Sequence, residues 1–269
     1  MTSRPEPAAE RTESISGPET TPISTIGWLR VVWRAVAILA LLVACAVPGT
    51  ISRRFGHAGP WPRLFLSGLA RLCGLRLAIC GTKAPGRVLL LANHVSWLDI
   101  PAIAAVTGSA FVAHDGLAGV PLLKHLCALN DTVFVARHDR TSVGAQVADI
   151  RTALADLGAL TVFPEGTTSD GTGLLPFKSS LLAALLPLPE GLTVQPVALD
   201  YGPNSADIAW IGRETGTANF LRILARRERL ELTLRFLAPL CGEALTSRKT
   251  MAAAAQGAVL DGLKRYRKV

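Results

Sequence analysis

Residues 87–100 read RVLLLANHVSWLDI, and their order of polarity decides the fold class. The apolar run 88–92 has the length and composition of a buried strand. Polarity then changes abruptly at Asn93 and His94. Ser96 offers a helix N-cap, with Asp99 in the first helical turn, where a carboxylate suits the positive end of the helix dipole. A strand feeding directly into a helix is half of a β-α unit. The same junction carries chemistry. Asp99 follows His94 by five residues and turns back toward it. A carboxylate against one imidazole nitrogen fixes the tautomer and makes the other nitrogen a better base. No nucleophile follows in the sequence. The competing account of the same spacing is a capping Asp beside a hydrogen-bonded junction His.

Outward from this junction, from residue 76 onward, short apolar runs alternate with helical ones. Strands are expected at 77–80, 88–92, 110–113, 132–135, 160–163, 193–199 and 232–237. Helices are expected near 98–106, 121–129, 142–157, 178–186 and 218–227. In the third of them Val143, Val147, Ile150, Leu154 and Leu157 form one face. The alternation predicts an α/β fold, a mixed β-sheet layered with helices.

The N-terminal part differs. Residues 1–25 are rich in Pro, Ser, Thr and Glu, predict a disordered tail, and lack the basic-then-apolar order of a signal peptide. Residues 26–47, IGWLRVVWRAVAILALLVACAV, are expected to form a hydrophobic membrane-associating segment, with a buried core helix as the alternative. As a helix, 28–47 is about 30 Å long, enough to cross a bilayer core. Arg30 and Arg34 interrupt it, which leaves two arrangements: the arginines snorkel at one interface beneath Trp28 and Trp33, or the helix lies partly inserted. Arg53, Arg54 and Arg63 follow, so basic residues flank the segment on both sides and leave its orientation open. A second amphipathic helix is expected at 61–75, with Phe65, Leu69, Leu72 and Cys73 on one face. That face can rest on headgroups or pack on the domain. The expected organisation is a tail (1–25), membrane-associating helices (26–75) and one domain (76–269).

Net charge is +8 with only 6% aromatic residues. Excess Lys and Arg without interleaved aromatics favours anionic lipid or acidic substrates and argues against a nucleic-acid partner. The five cysteines, Cys45, Cys73, Cys80, Cys127 and Cys241, lie in apolar runs without a C-x-x-C spacing. Buried thiols are expected, with neither a disulfide framework nor a metal site.

A second constellation spans residues 160–182, LTVFPEGTTSDGTGLLPFKSSLL. A strand ends at Phe163-Pro164 and leads into Glu165-Gly166-Thr167-Thr168, a Gly-rich loop, and a helix opened by Lys178. Gly166 allows close backbone approach, Thr167 and Thr168 offer hydroxyls, and Lys178 a charge. This suits an anionic or polyol headgroup; an ordinary turn with a helix cap is the alternative. Phe177 occupies the place a P-loop glycine must fill, and neither G-x-S-x-G nor G-x-G-x-x-G occurs.

Taken together, the two stretches resemble the glycerolipid acyltransferase family, which includes 1-acylglycerol-3-phosphate acyltransferases. Its N-H-x-x-x-x-D motif is matched at Asn93, His94 and Asp99, and F-P-E-G-T-R at Phe163 to Thr167 with Thr168 in place of Arg. Phe134-Val135-Ala136-Arg137 matches the end of a further motif, and Val194-Gln195-Pro196 the V-x-P strand. FPEGTTSDG followed by LPFKSS resembles the bacterial lyso-ornithine-lipid branch. His114, Asp131 and Ser180 depart from residues common in the family.

The resemblance implies transfer of a fatty acyl group from acyl-CoA or acyl carrier protein to the hydroxyl of a lysolipid in the bilayer, with no other cofactor. The site would lie at the cytoplasmic face of a bacterial inner membrane. It implies His94 as general base, Asp99 as its orienter, and Arg137, Glu165, Gly166 and Thr167 as residues that place the acceptor. Two other classes stand beside it: a metal-dependent lipid hydrolase using His94, Asp99 and Glu165 as ligands, and a non-catalytic membrane adaptor.

Overall fold

The computed structural model describes residues 22–57, 59–114, 133–135, 158–212 and 214–264. Among these residues seven strands form one sheet: β1 (Leu75–Cys80), β2 (Val88–Ala92), β3 (Ala110–His114), β4 (Val133–Val135), β5 (Ala159–Val162), β6 (Thr193–Asp200) and β7 (Leu230–Phe236). Their spatial order is β1-β7-β6-β2-β5-β3-β4. Neighbours are parallel except β6 and β7, which run antiparallel, so the sheet is mixed as expected.

Strand β2 sits between β6 and β5, with every residue buried. Its unbroken apolar run follows from this, because both faces of the sheet are covered. Val88, Leu90 and Ala92 enter one core; Leu89 and Leu91 enter the other. The first core is closed by α1 (Thr25–Arg54), α2 (Trp61–Leu72), α3 (Asp99–Thr107) and α5 (Gly216–Ala225), through residues such as Val31, Phe65, Ile103 and Ile223. Between β6 and α5 lies a single helical turn, α4 (Ser205–Ile208). The second core is closed by α6 (Arg248–Lys264) and a 3-10 helix, Ser179–Leu185. Helix α6 has no counterpart among the expected helices. Its run of four alanines carries little hydrophobic contrast, although Met251, Ala252, Ala255 and Val259 are buried. The helices expected near 121–129 and 142–157 lie outside the described residues.

Helix α1 has two distinct faces. Gly27, Val31, Cys45 and Gly49 are buried, and Ile38, Leu41 and Leu42 pack on the core beside them. On the opposite side Leu29, Val32, Val36, Leu39, Val43, Val47 and Ile51 form an exposed stripe. Arg30 and Arg34 face the protein, which corrects the snorkelling arrangement and leaves that of a partly inserted helix. Arg34 Nη1 donates to the carbonyls of Leu224 at 2.8 Å and Arg226 at 2.9 Å, and Arg30 Nη1 to that of Ala225 at 3.3 Å. These carbonyls close the C-terminal end of α5, where orphan acceptors and the dipole both favour a cation.

Helix α2 packs on the domain with Phe65, Leu66 and Ala70 buried. Gly68 permits the close approach of α1, because a Cβ there would stand 2.5 Å from Leu41 Cδ2. Arg63 donates to the carbonyls of Ala105 and Val106 at the end of α3. Of the cysteines, Cys45 and Cys73 are buried as expected, Cys80 is half-buried and Cys241 is exposed; Cys127 lies outside the described residues.

Candidate active site

Where β2 ends, Asn93 continues its pairing with a side chain. Asn93 Nδ2 donates to the Leu199 carbonyl at 3.0 Å, and the Leu199 N–H donates to Asn93 Oδ1 at 2.7 Å. The buried amide thus imitates one more rung of the β2–β6 ladder and frees the main chain to turn. His94 follows at once. Its Nδ1 stands 2.8 Å from Asp99 Oδ2. An ionised carboxylate only accepts, so Nδ1 carries the proton and Nε2 is left as the basic nitrogen. The imidazole stacks on Phe163, with ring centroids 4.1 Å apart and planes 15° from parallel. The His94 side chain keeps 18% exposure, so a substrate can reach it.

Asp99 is the first residue of α3, with Leu98 in the cap position, so Ser96 is not the N-cap that the sequence suggested. The carboxylate itself turns back. Its Oδ2 accepts the N–H of Val95 at 2.7 Å and of Ser96 at 3.0 Å as well as His94 Nδ1. Its Oδ1 accepts the hydroxyl of Tyr201 at 2.6 Å. Asp99 is wholly buried, and these donors offset the desolvation of its charge.

The loop after β5 meets this turn from the other side. Glu165 is wholly buried; its Oε1 accepts the His94 N–H at 2.6 Å and its Oε2 the Leu175 N–H at 2.9 Å. Burial pushes its carboxyl up to about 8, against the downward pull of those two N–H groups. Ser169 donates to the His94 carbonyl through its N–H at 2.7 Å and its hydroxyl at 3.1 Å. A third segment joins the two loops. The Trp210 N–H donates to the Val95 carbonyl at 3.2 Å, and the Thr168 hydroxyl donates to the Trp210 carbonyl. Gly171, with φ +71°, is needed for this closure: a Cβ there would stand 2.7 Å from Ser205 Cβ.

The structure therefore brings His94, Asp99, Glu165 and Thr168 into one assembly. Gly166 forms the turn after Glu165 with φ +69°, and Thr167 and Lys178 lie exposed on the same loop. Lys178 is anchored by its N–H to the Pro164 carbonyl at 2.8 Å. Arg137 lies outside the described residues. The oxygens of Glu165 and the hydroxyl of Thr168, expected to meet a headgroup, are directed to main-chain groups. Tyr201 and Trp210 were not indicated by the sequence. Both act across long separations, and no local spacing marks them.

A family model described as Acyltransferase matches residues 81–200. The lyso-ornithine lipid O-acyltransferase of Rhizobium meliloti is 43% identical over 136 residues, 48% of this chain and 47% of that protein. The lyso-ornithine lipid O-acyltransferase of Rhodobacter capsulatus is 33% identical over 218 residues, 77% of this chain and 78% of that protein. Among solved structures, the 1-acyl-sn-glycerophosphate acyltransferase PlsC from Thermotoga maritima shares the fold, with a TM-score of 0.59 at 18% identity over 88% of this chain and 98% of that one. With 78% of the Rhodobacter protein covered at 33% identity, and the family model spanning the strand, turn and helix that hold His94 and Asp99, the chain belongs to the glycerolipid acyltransferase family.

Proposed function

We propose that this acyltransferase is membrane-bound and moves a fatty acyl group from a thioester, acyl-CoA or acyl carrier protein, to the hydroxyl of lyso-ornithine lipid. The observation that carries the mechanism is the 2.8 Å contact between His94 Nδ1 and Asp99 Oδ2. Nε2 of His94 takes the proton of the acceptor hydroxyl as its oxygen attacks the thioester carbonyl. The C–S bond of the tetrahedral intermediate then breaks, and the imidazolium returns the proton to the leaving thiolate. An ester and a free thiol result, and no acyl-enzyme is required.

The acceptor assignment rests on the two relatives above and on the uncharged Thr168 after F-P-E-G-T. An Arg there would pair bidentately with a phosphate, whereas the Thr168 hydroxyl is engaged by Trp210. Arg137, Gly166, Thr167 and Lys178 remain the groups we assign to acceptor placement. Membrane attachment rests on α1, which is long and apolar enough to cross a bilayer by length and composition and exposes its stripe outside the domain. We assign the protein to the cytoplasmic face of the inner membrane.

The deciding experiment incubates purified protein with acyl-CoA or acyl carrier protein and equal amounts of lyso-ornithine lipid and 1-acylglycerol-3-phosphate. Preferential acylation of the ornithine acceptor supports the assignment. Preference for the phosphate acceptor overturns it in favour of 1-acylglycerol-3-phosphate acylation. Release of free fatty acid that stops in a chelator would instead indicate the metal-dependent hydrolase.

A further inference from the structure

We propose that Tyr201 is a positioning residue for acyl transfer, acting on His94 through Asp99; the proposal rests on His94 being the base. Nothing in the linear motifs includes Tyr201, which follows the last residue of β6. Its hydroxyl reaches Asp99 Oδ1 at 2.6 Å across a separation of 102 residues. Among the described residues the other oxygen, Oδ2, carries the remaining hydrogen bonds: His94 Nδ1, the Val95 N–H and the Ser96 N–H. With Oδ1 unheld, the carboxylate could turn about its Cβ–Cγ bond. A buried oxygen would also lose its donor, which is costly where water cannot replace it. Tyr201 therefore fixes the carboxylate plane, and with it the direction in which Oδ2 meets the imidazole.

Two further features fit this role. The Asn93–Leu199 exchange ties β6 to the main chain one residue before His94 and two residues before Tyr201. The distance between the tyrosine and the histidine turn is thereby set by a rigid rung rather than by a loop. Second, Tyr201 is buried, and that burial, with the Asp99 charge beside it, pushes its phenol well above the ordinary value. Its hydroxyl therefore stays a donor at neutral pH. A donor at Oδ1 holds the carboxylate plane that Oδ2 presents to the His94 ring.

The test is a kinetic cycle on the full chain with Tyr201→Phe, Asp99→Asn and the double variant. Tyr201→Phe keeps the buried ring and removes only the donor. Its kcat should fall about tenfold, as for loss of one charged hydrogen bond at the weaker end of its range, with the acceptor KM within about twofold of wild type. In the Asp99→Asn background the same change should cost less than about twofold, because its target is already altered. A wild-type kcat in Tyr201→Phe, or an equal loss in both backgrounds, overturns the proposal.

Fluorine NMR gives a measurement independent of turnover. The chain has two tyrosines, Tyr201 and Tyr266, so 3-fluorotyrosine labelling yields two resonances, assigned with Tyr266→Phe. The Tyr201 signal should move in Asp99→Asn; an unmoved signal overturns the contact even where a variant folds poorly. Activity retained by His94→Ala would sink the parent mechanism. A dead His94→Ala beside a fully active Tyr201→Phe would sink this proposal alone.

Discussion

The main-chain N–H of His94 donates to Oε1 of Glu165 at 2.6 Å, so the histidine turn rests on a carboxyl group from the loop after β5. The other oxygen holds Leu175 at 2.9 Å. Glu165 therefore joins two loops by their backbones, and this predicts how it fails. Glu165→Gln places an amide NH2 against one of two N–H donors. Stability should fall by about 1–3 kcal/mol, with kcat reduced because the His94 turn shifts. Urea unfolding and steady-state kinetics measure both; unchanged stability would show that the carboxyl group is dispensable.

The same residue gives a pH dependence. Its carboxyl rises from 4.5 to about 8 in the folded protein, chiefly through burial. Between these values the folded state holds a proton that the unfolded chain releases. Its contribution to stability is thus full below 4.5 and is lost as pH rises toward 8. Thermal midpoints across this window should decline less steeply in Glu165→Gln than in wild type. Parallel profiles would remove Glu165 as the cause.

For the proposed base and its proposed orienter, His94→Ala should lower kcat by about 10²–10⁴-fold with the fold intact. Asp99→Asn should lose up to about 10⁴-fold, since an amide holds the ring in the wrong tautomer. Substantial turnover by a well-folded His94→Ala protein would end the general-base mechanism.

Arg34 predicts a loss far from the site. Its guanidinium spans carbonyls of α5 at 2.8 and 2.9 Å, and Arg34→Ala should cost about 1.5–3 kcal/mol, as for charged hydrogen bonds. Arg34→Lys should lie between, because one nitrogen, Nη1, makes both bonds and the ammonium of a shorter side chain supplies them only in part. Equal stability of the alanine variant and the wild type would count against the docking of α1 on α5.

The exposed stripe of α1 is testable without disturbing its docked face. Leu29, Val36 and Val43 are 67%, 61% and 54% exposed. Changing all three to Glu should move the protein from the membrane to the soluble fraction, since carboxylates enter an apolar lipid layer at high cost. Activity on detergent-dispersed acceptor should survive. Continued sedimentation with membranes would place the attachment on another surface.

The sequence by itself determined whatever depends on neighbours along the chain. All seven strands were legible as short, largely apolar stretches, and β2 is continuous because it is buried on both faces. His94 and Asp99 were legible as a pair because five residues across a strand-to-helix turn bring them together locally. Tertiary structure decided the rest. Arg30 and Arg34 were visible as charges in an apolar helix, but their partners lie about 190 residues away, and only packing shows that they close α5. Glu165 and Thr168 have the chemistry of headgroup ligands, yet the folded chain turns them toward the backbone of His94 and Trp210. Tyr201 carries no linear signal at all, because its hydrogen bond forms only when β6 aligns beside β2 and closes the distance to Asp99.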